Sequence, residues 1–421
     1  MIRSNPLVAY PIAAILIFLS RPIARRVAKE ERDERLYRIV MIGLVLHLLA
    51  APVQIWVVNH YYHGITDYNR YVNQGALLGP RFRQFNFSLA GTNQKFLGAG
   101  SVSVFAGIIF AFVGINKLAA FFVFGWFAFL GTLGFFRAFC VTFPEADHRR
   151  YAKMIFFLPS LIFWTAGASK EAVMYLSVGI AADGAARVLA RRPRGVFLMV
   201  VGIAIGIYVR PQELLLLLGV VAVATLFRPR ARGTTFRLAR FVALAAVQAA
   251  FLALVVGVTQ KLAKQGAPVF SLNAVAANNS GQASSIPYHP GPAGYPQDIY
   301  SVLFLPQLFN AHGAGQRVAA VENTVIVVLI LTSVRRLRYL PRVALMRPYV
   351  MVAFLDLLGF CYAFAALSNL GLIDRERVLV LPFLLVLLAI PVSPRRQPRV
   401  FPWELSRRRR RERARPAWAR V

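Results

Sequence analysis

The feature that most constrains this chain is a succession of apolar runs separated by short charged breaks. They fall at about 7–20, 37–57, 97–115, 118–142, 154–190, 196–209, 212–228, 239–261, 318–334, 349–367 and 377–392. A helix that crosses a bilayer needs about 20 predominantly apolar residues, and it satisfies its own backbone polar groups there. A water-soluble chain of 421 residues would carry more than the 16% of charged residues found here against 57% hydrophobic. The expected fold is all-α, a polytopic transmembrane helical bundle of about 10–11 spans.

Two runs need dividing. The stretch 196–228 is too long for one span, and Arg210-Pro211-Gln212 lies in its middle. A charge at mid-membrane is costly and proline disfavours helix before it, so a tight turn at a membrane surface is expected there. The stretch 154–190 contains Pro159-Ser160 and then Ala166-Gly167-Ala168-Ser169-Lys170-Glu171. Reading residues 154–170 as a re-entrant or half-helix segment, followed by one span, puts Arg191, Arg192 and Arg194 on the basic side.

With that choice the N-terminus lies outside and the C-terminus in the cytoplasm, as for a multi-pass protein of the plasma or inner membrane. The inner segments hold 33 Lys and Arg against 15 outside, the bias expected of cytoplasmic loops. Lys117 is read as inside; Glu145, Asp147, His148, Arg149 and Arg150 are read as outside. Residues 1–393 form the transmembrane domain, with extracytoplasmic loops at 58–96 and 262–317, and 394–421 form a basic cytoplasmic tail. The first run reads as an uncleaved span, because it is followed by a basic segment rather than a small-residue cleavage site.

A net charge of +32 would suggest nucleic acid in a soluble protein. Here orientation and membrane lipid headgroups account for it, and no nucleic-acid partner is expected. Cys140 and Cys361 sit in apolar runs without metal or redox spacing. His148, in Glu145-Ala146-Asp147-His148, hints at a metal, but no spacing supports one and no metal ligand is assigned. Without a Walker loop, dinucleotide fingerprint or nucleophile elbow, ATP-driven pumping and soluble nucleotide-sugar donors are not expected.

Mixed charge at the membrane boundary is where chemistry would sit; the inner side is mostly Arg with few acids apart from Glu30, Glu31, Asp33 and Glu34, and the outer side offers the mixture. Asp67, in His63-Gly64-Ile65-Thr66-Asp67-Tyr68-Asn69-Arg70-Tyr71, is a carboxylate suited to a general base, with Arg70 beside it and Tyr68 and Tyr71 placed to stack on sugar rings. The same stretch also reads as a helix start capped by Thr66 or Asp67. Lys170 and Glu171 follow a break that would expose backbone N–H groups to a phosphate; equally, Lys170 snorkels and Glu171 occupies a first helical turn. Arg210 and Glu213 form a hairpin tip that is either an anion contact or a solvated turn. Arg375 and Arg377 lie in Asp374-Arg375-Glu376-Arg377, which also reads as a capped helix start with a salt bridge.

Three of these segments resemble one family. Gly64-Ile65-Thr66-Asp67-Tyr68-x-x-Tyr71 is similar to a first-outer-loop motif of bacterial exopolysaccharide polymerases and related GT-C glycosyltransferases. Pro159-Ser160-x-x-Phe163-Trp164 with Lys170-Glu171, and Gly371-Leu372-Ile373-x-Arg375-x-Arg377-Val378 with Pro382, resemble segments of the same group. The resemblance implies a GT-C-like bundle and a polyprenyl-phosphate-linked sugar or glycan as donor. A glycan or glycolipid would be the acceptor, in making a cell-envelope polysaccharide or glycolipid. It implies Asp67 as the catalytic base and Lys170, Arg210, Arg375 and Arg377 as the cations that hold lipid phosphate. No second acid adjoins Asp67 in sequence, so a requirement for a divalent cation stays open. The alternatives are a transporter or flippase of a lipid-linked glycan and a non-catalytic assembly partner.

Overall fold

The computed structural model describes residues 6–63, 66–89, 96, 98–227, 284–289 and 291–391. The expected span 239–261, most of the second loop and the basic tail lie outside the described residues, as does Gly64-Ile65 of the first-loop motif.

The described chain is all-helical apart from one isolated bridge, Ser285 to Asn369. Its helices are α1 (Tyr10–Glu31), α2 (Glu34–His60), α3 (Asp67–Arg83), α4 (Ala99–Val113), α5 (Lys117–Thr142), α6 (Arg149–Phe157), α7 (Pro159–Phe163) and α8 (Lys170–Leu189). There follow α9 (Arg194–Gly206), α10 (Pro211–Leu226), α11 (Tyr295–Phe304), α12 (Gly313–Leu337), α13 (Leu340–Met346), α14 (Pro348–Ala365), α15 (Leu370–Glu376) and α16 (Leu381–Leu388). Six helical stretches are long and apolar enough to cross a membrane: Leu7–Glu31, α2, α5, α8, α12 and α14. Shorter apolar helices are α4, α9 and α10. An all-helical membrane protein is thus what the chain folds into.

The core follows from helices that are apolar all round. Most side chains of α5 and almost every one of α8 are buried, and Gly131, Gly134 and Gly179 bring the two backbones together: a Cβ on Gly131 or Gly134 would overlap backbone of α8. Lipid tails are as apolar as leucine, so close van der Waals packing at small residues is what holds such helices to one another. The peripheral helices α1 and α12 instead present Leu19, Phe18, Val318 and Leu331 outward.

The ends of the helices sort onto two faces. One face gathers the junctions that follow α1, α5 and α12. Arg149 donates to both Asp33 oxygens (2.5 and 2.9 Å), Arg347 to Glu145 (2.7 Å) and Arg150 to Ser333 (2.8 Å). This is the basic face, and a cleft of about 420 Å³ opens there among Arg35, Arg38, Ile39, Arg149 and Lys153. The opposite face gathers Asp67, Lys117, Arg210 and Arg375 with their partners, and is called the site face below.

This arrangement corrects the expected threading. Residues 145–150 lie on the basic face with Asp33, not on the side of Asp67. Lys117 lies on the site face, where its ammonium donates to Asn69 (2.6 Å). The cause is α4. Its leading residue Gly98 donates to Tyr208 O on the site face (2.7 Å), and only Gly114–Asn116 separate its end from Lys117. Four Cα steps reach at most ~14 Å, far less than a hydrocarbon core of about 30 Å. Hence α4 does not cross. It lies beside α3, with Gln74 on Ser103 (2.9 Å) and Arg83 on Ala111 O (3.1 Å).

The run 154–190 compensates. Rather than a re-entrant segment, α6 and α7 form one broken path from the basic face to the site face. Pro159 removes a donor and Leu158 turns to extended φ/ψ at the break. Ser160 N, freed there, donates to the buried Glu322 of α12 (2.7 Å). One expected crossing is lost and one gained, so α8 still ends on the basic face. The exchange moves Arg149, Arg150 and Lys153 onto that face and Lys117 off it, which strengthens the charge asymmetry.

A cluster of paired charges on the site face

Three of the helices that start on the site face carry an acid in the first turn: Asp67 on α3, Glu171 on α8 and Glu213 on α10. Helix N-termini favour carboxylates, because the unpaired N–H groups there carry partial positive charge. Ser169 caps α8 by accepting from Ala172 N (3.1 Å). The preceding loop passes tightly beneath Tyr68: a Cβ on Gly167 would overlap Gln54 Oε1 and crowd Phe121 and Tyr68. The Gly-Ala-Ser break therefore serves close approach, and Gln54 donates to Phe163 O (3.0 Å) at the same place.

Arg210, just before Pro211, is the hub. It bonds Glu171 Oε1 (3.0 Å) and Glu213 Oε1 (3.0 Å), and it also engages Glu376 at the end of α15. Arg375 completes the group. Its Nε lies 2.9 Å from Glu171 Oε1, Nη1 lies 3.8 Å from Asp67 Oδ2, and the guanidinium sits 5.5 Å from the centroid of the Tyr68 ring. Burial opposes the charge on Arg375, but Glu171 outweighs it and holds the guanidinium protonated well above its ordinary value. Burial raises the phenols of Tyr68 and Tyr71, so both stay neutral at physiological pH.

Burial is graded across the cluster. The Glu171 side chain is fully buried, those of Arg210 and Arg375 nearly so, and that of Asp67 is 46% exposed. Lys170 is partly buried beside the group, and no hydrogen bond or ion pair engages its ammonium among the described residues. The result is a buried lattice of guanidinium–carboxylate pairs with one carboxylate, Asp67, and one ammonium, Lys170, left at its edge.

Of the residues the sequence singles out, Asp67, Tyr68, Tyr71, Lys170, Glu171, Arg210, Glu213 and Arg375 converge. Two do not. Arg70 is exposed, and no side-chain ion pair engages it among the described residues. Arg377 is 1% exposed and pairs with Asp374 (3.1 Å), near Glu322 rather than Asp67. Burial pushes Asp374 up to about 6. As a charge already committed in the interior, Arg377 is removed from the expected phosphate contacts. Arg210 is corrected in the same way, since three carboxylates occupy its guanidinium. Glu376 is the member that sequence reasoning missed. It stands in the same Asp-Arg-Glu-Arg run, but only the α15 backbone decides that Arg375 and Glu376 face the cluster while Arg377 does not.

Comparison with known proteins adds no family. No family model matches the chain, and no curated protein or solved structure matches it.

Proposed function

We propose that the protein is a membrane glycosyltransferase of GT-C type that uses a polyprenyl-phosphate-linked sugar or glycan on the site face. The observation that carries this reading is the exposed Asp67 carboxylate held at the rim of a buried ion-pair lattice, beside the unengaged Lys170. A general base must be reachable by its substrate yet fixed in direction, and Arg375 at 3.8 Å provides the fixing. In the proposed step Asp67 takes the proton of an acceptor hydroxyl. The hydroxyl oxygen bonds to the anomeric carbon, and the bond from that carbon to the donor phosphate oxygen breaks. Lys170 and the outer edge of Arg375 meet the charge developing on the leaving phosphate, which is where preorganised cations help most. Tyr68 and Tyr71 stiffen the base of α3 rather than stacking on sugar, because both rings are buried.

On this reading the site face is extracytoplasmic and the basic face cytoplasmic. The Arg35, Arg38, Arg149 and Lys153 cleft supports that orientation, since juxtamembrane cations favour the anionic cytoplasmic leaflet.

The test is donor consumption by purified protein in lipid, offered polyprenyl-phosphate sugars and lipid-linked oligosaccharides. Wild type should consume one class, and Asp67→Asn should reduce the rate by at least about a hundredfold without loss of folded protein. Full activity in Asp67→Asn would sink the assignment of the base. A transport reading has one specific observation in its favour: Asp356 is buried in α14 with no ion pair among the described residues. Intramembrane acids of that kind mark transport paths. Lipid-linked glycan translocation that Asp356→Asn abolishes and Asp67→Asn spares would establish that reading instead.

A further inference from the structure

On the basic face, away from this site, Glu31, Cys140 and His148 converge. They come from the last residue of α1, the final turn of α5 and the residue preceding α6. One ligand atom of each lies within 4.8 Å of the others. Spaced by more than a hundred residues between the first and second, they form no motif legible in sequence.

The histidine is prepared in a particular way. Its side chain is 1% exposed. Nε2 lies 2.8 Å from Phe143 O, which accepts its proton. Phe136 and Phe139 meet the ring edge-on, with centroids 6.4 and 6.0 Å away. Nδ1 is the nitrogen left facing the carboxylate. It lies 2.5 Å from Glu31 Oε2, yet no aligned hydrogen bond satisfies it. A ring nitrogen and a carboxylate oxygen this close need a cation between them, either a proton or a metal. The Cys140 thiol beside them distinguishes this place from an ordinary His–Glu pair.

We propose that Glu31, Cys140 and His148 bind a borderline-soft divalent transition ion of the zinc type. Nitrogen, thiolate and carboxylate donors are those zinc takes, at about 2.0–2.3 Å. An imidazole whose second nitrogen donates to a backbone carbonyl is the usual arrangement of a metal-bound histidine. Three protein donors leave a fourth position for water. Binding requires the thiol to lose its proton to solvent and Glu31 to turn by about 1 Å, so that its oxygen and Nδ1 flank the ion at bonding distance. The ion would pin α1, α5 and α6 where the chain turns on the basic face, giving a structural site.

The test uses the purified full-length chain, treated with chelator and titrated with Co²⁺ as a visible probe. The expected result is a thiolate-to-cobalt charge-transfer band that saturates at about one equivalent and is displaced by Zn²⁺. The band should vanish in Cys140→Ser and persist in Cys361→Ser. Co²⁺ affinity should fall at least about tenfold in Glu31→Gln and in His148→Gln. Folded wild type that shows no band, or a band that survives Cys140→Ser, overturns the proposal and leaves a protonated His148–Glu31 pair. A measurement on the unaltered chain guards against variants that fail to fold. Saturating Zn²⁺ should slow alkylation of Cys140, read by mass spectrometry, and an unchanged rate also overturns the site.

Discussion

Replacing Arg210 with Gln removes the cation at the centre of the site-face lattice. The side chain is 11% exposed, and its partners Glu171, Glu213 and Glu376 are 0, 5 and 7% exposed. Breaking a buried ion pair by deleting one partner costs about 3–5 kcal/mol, because the remaining charge is stranded away from water. Three carboxylates share this guanidinium, but the costs do not triple. Glu171 keeps Arg375 at 2.9 Å, which leaves Glu213 and Glu376 as the stranded groups. The expected loss is therefore about 3–5 kcal/mol in total. Arg210 is the one ion-pair partner of Glu213 among the described residues. Adding Glu213→Gln to Arg210→Gln should accordingly restore about 1–3 kcal/mol, a coupling far from additive. The assay is reversible denaturation in mixed lipid–detergent micelles followed by tryptophan fluorescence. A loss below about 1 kcal/mol for Arg210→Gln, the size seen for solvated surface pairs, would refute the claim that the lattice is buried and interdependent. So would a double variant equal to the sum of the single ones.

Lys170→Met should lower affinity for a polyprenyl-phosphate donor while leaving the denaturation midpoint within experimental error, because no partner is stranded; unchanged donor binding removes Lys170 from the phosphate contact. Single cysteines introduced at Asp147 and at Arg35 in a chain lacking Cys140 and Cys361 should react with a membrane-impermeant maleimide from the same side, and one at Arg70 from the opposite side; labelling of Asp147→Cys together with Arg70→Cys would restore the threading expected from hydropathy. The Arg149 side chain donates to Asp33 and depresses its carboxyl below the ordinary range. A depressed acid contributes stability above its unfolded value of about 4 and loses it as pH falls through the lower folded value. The difference in stability between wild type and Arg149→Gln should thus be constant above about pH 5, shrink as pH falls below about 4, and vanish only below the depressed folded value. A difference that grows on acidification would contradict the pairing.

Much of the site was legible because its residues carry local signals. An acid in a helix's first turn, as at Asp67, Glu171 and Glu213, is favoured by the helix end itself, whatever the helix later packs against. The break at Gly167 was legible for the same reason, although its purpose, clearance beneath Tyr68, depends on a neighbour more than 90 residues away. Roles were less legible than places. Arg375 and Arg377 look alike in sequence, yet one joins Glu171 and Asp67 while the other is sealed with Asp374, because a two-residue offset on a helix points the side chains in different directions. Arg210 has the sequence signature of an anion contact, yet carboxylates from α8, α10 and α15 already occupy its guanidinium.

By itself the sequence determined that the chain is a helical membrane protein with charge sorted between two faces, since the cost of exposing backbone or charge to lipid is set locally by composition. It did not determine which apolar runs cross. Hydropathy records whether a segment tolerates an apolar surrounding, and α4 finds that surrounding without traversing, while the broken α6–α7 path crosses with the help of Glu322 of α12 at its gap. Nor could it bring Glu31 to His148, or Glu376 to Arg210. Those meetings depend on helix packing, where glycines on α5 and α8 set the approach of backbones and hence which distant side chains come within bonding distance.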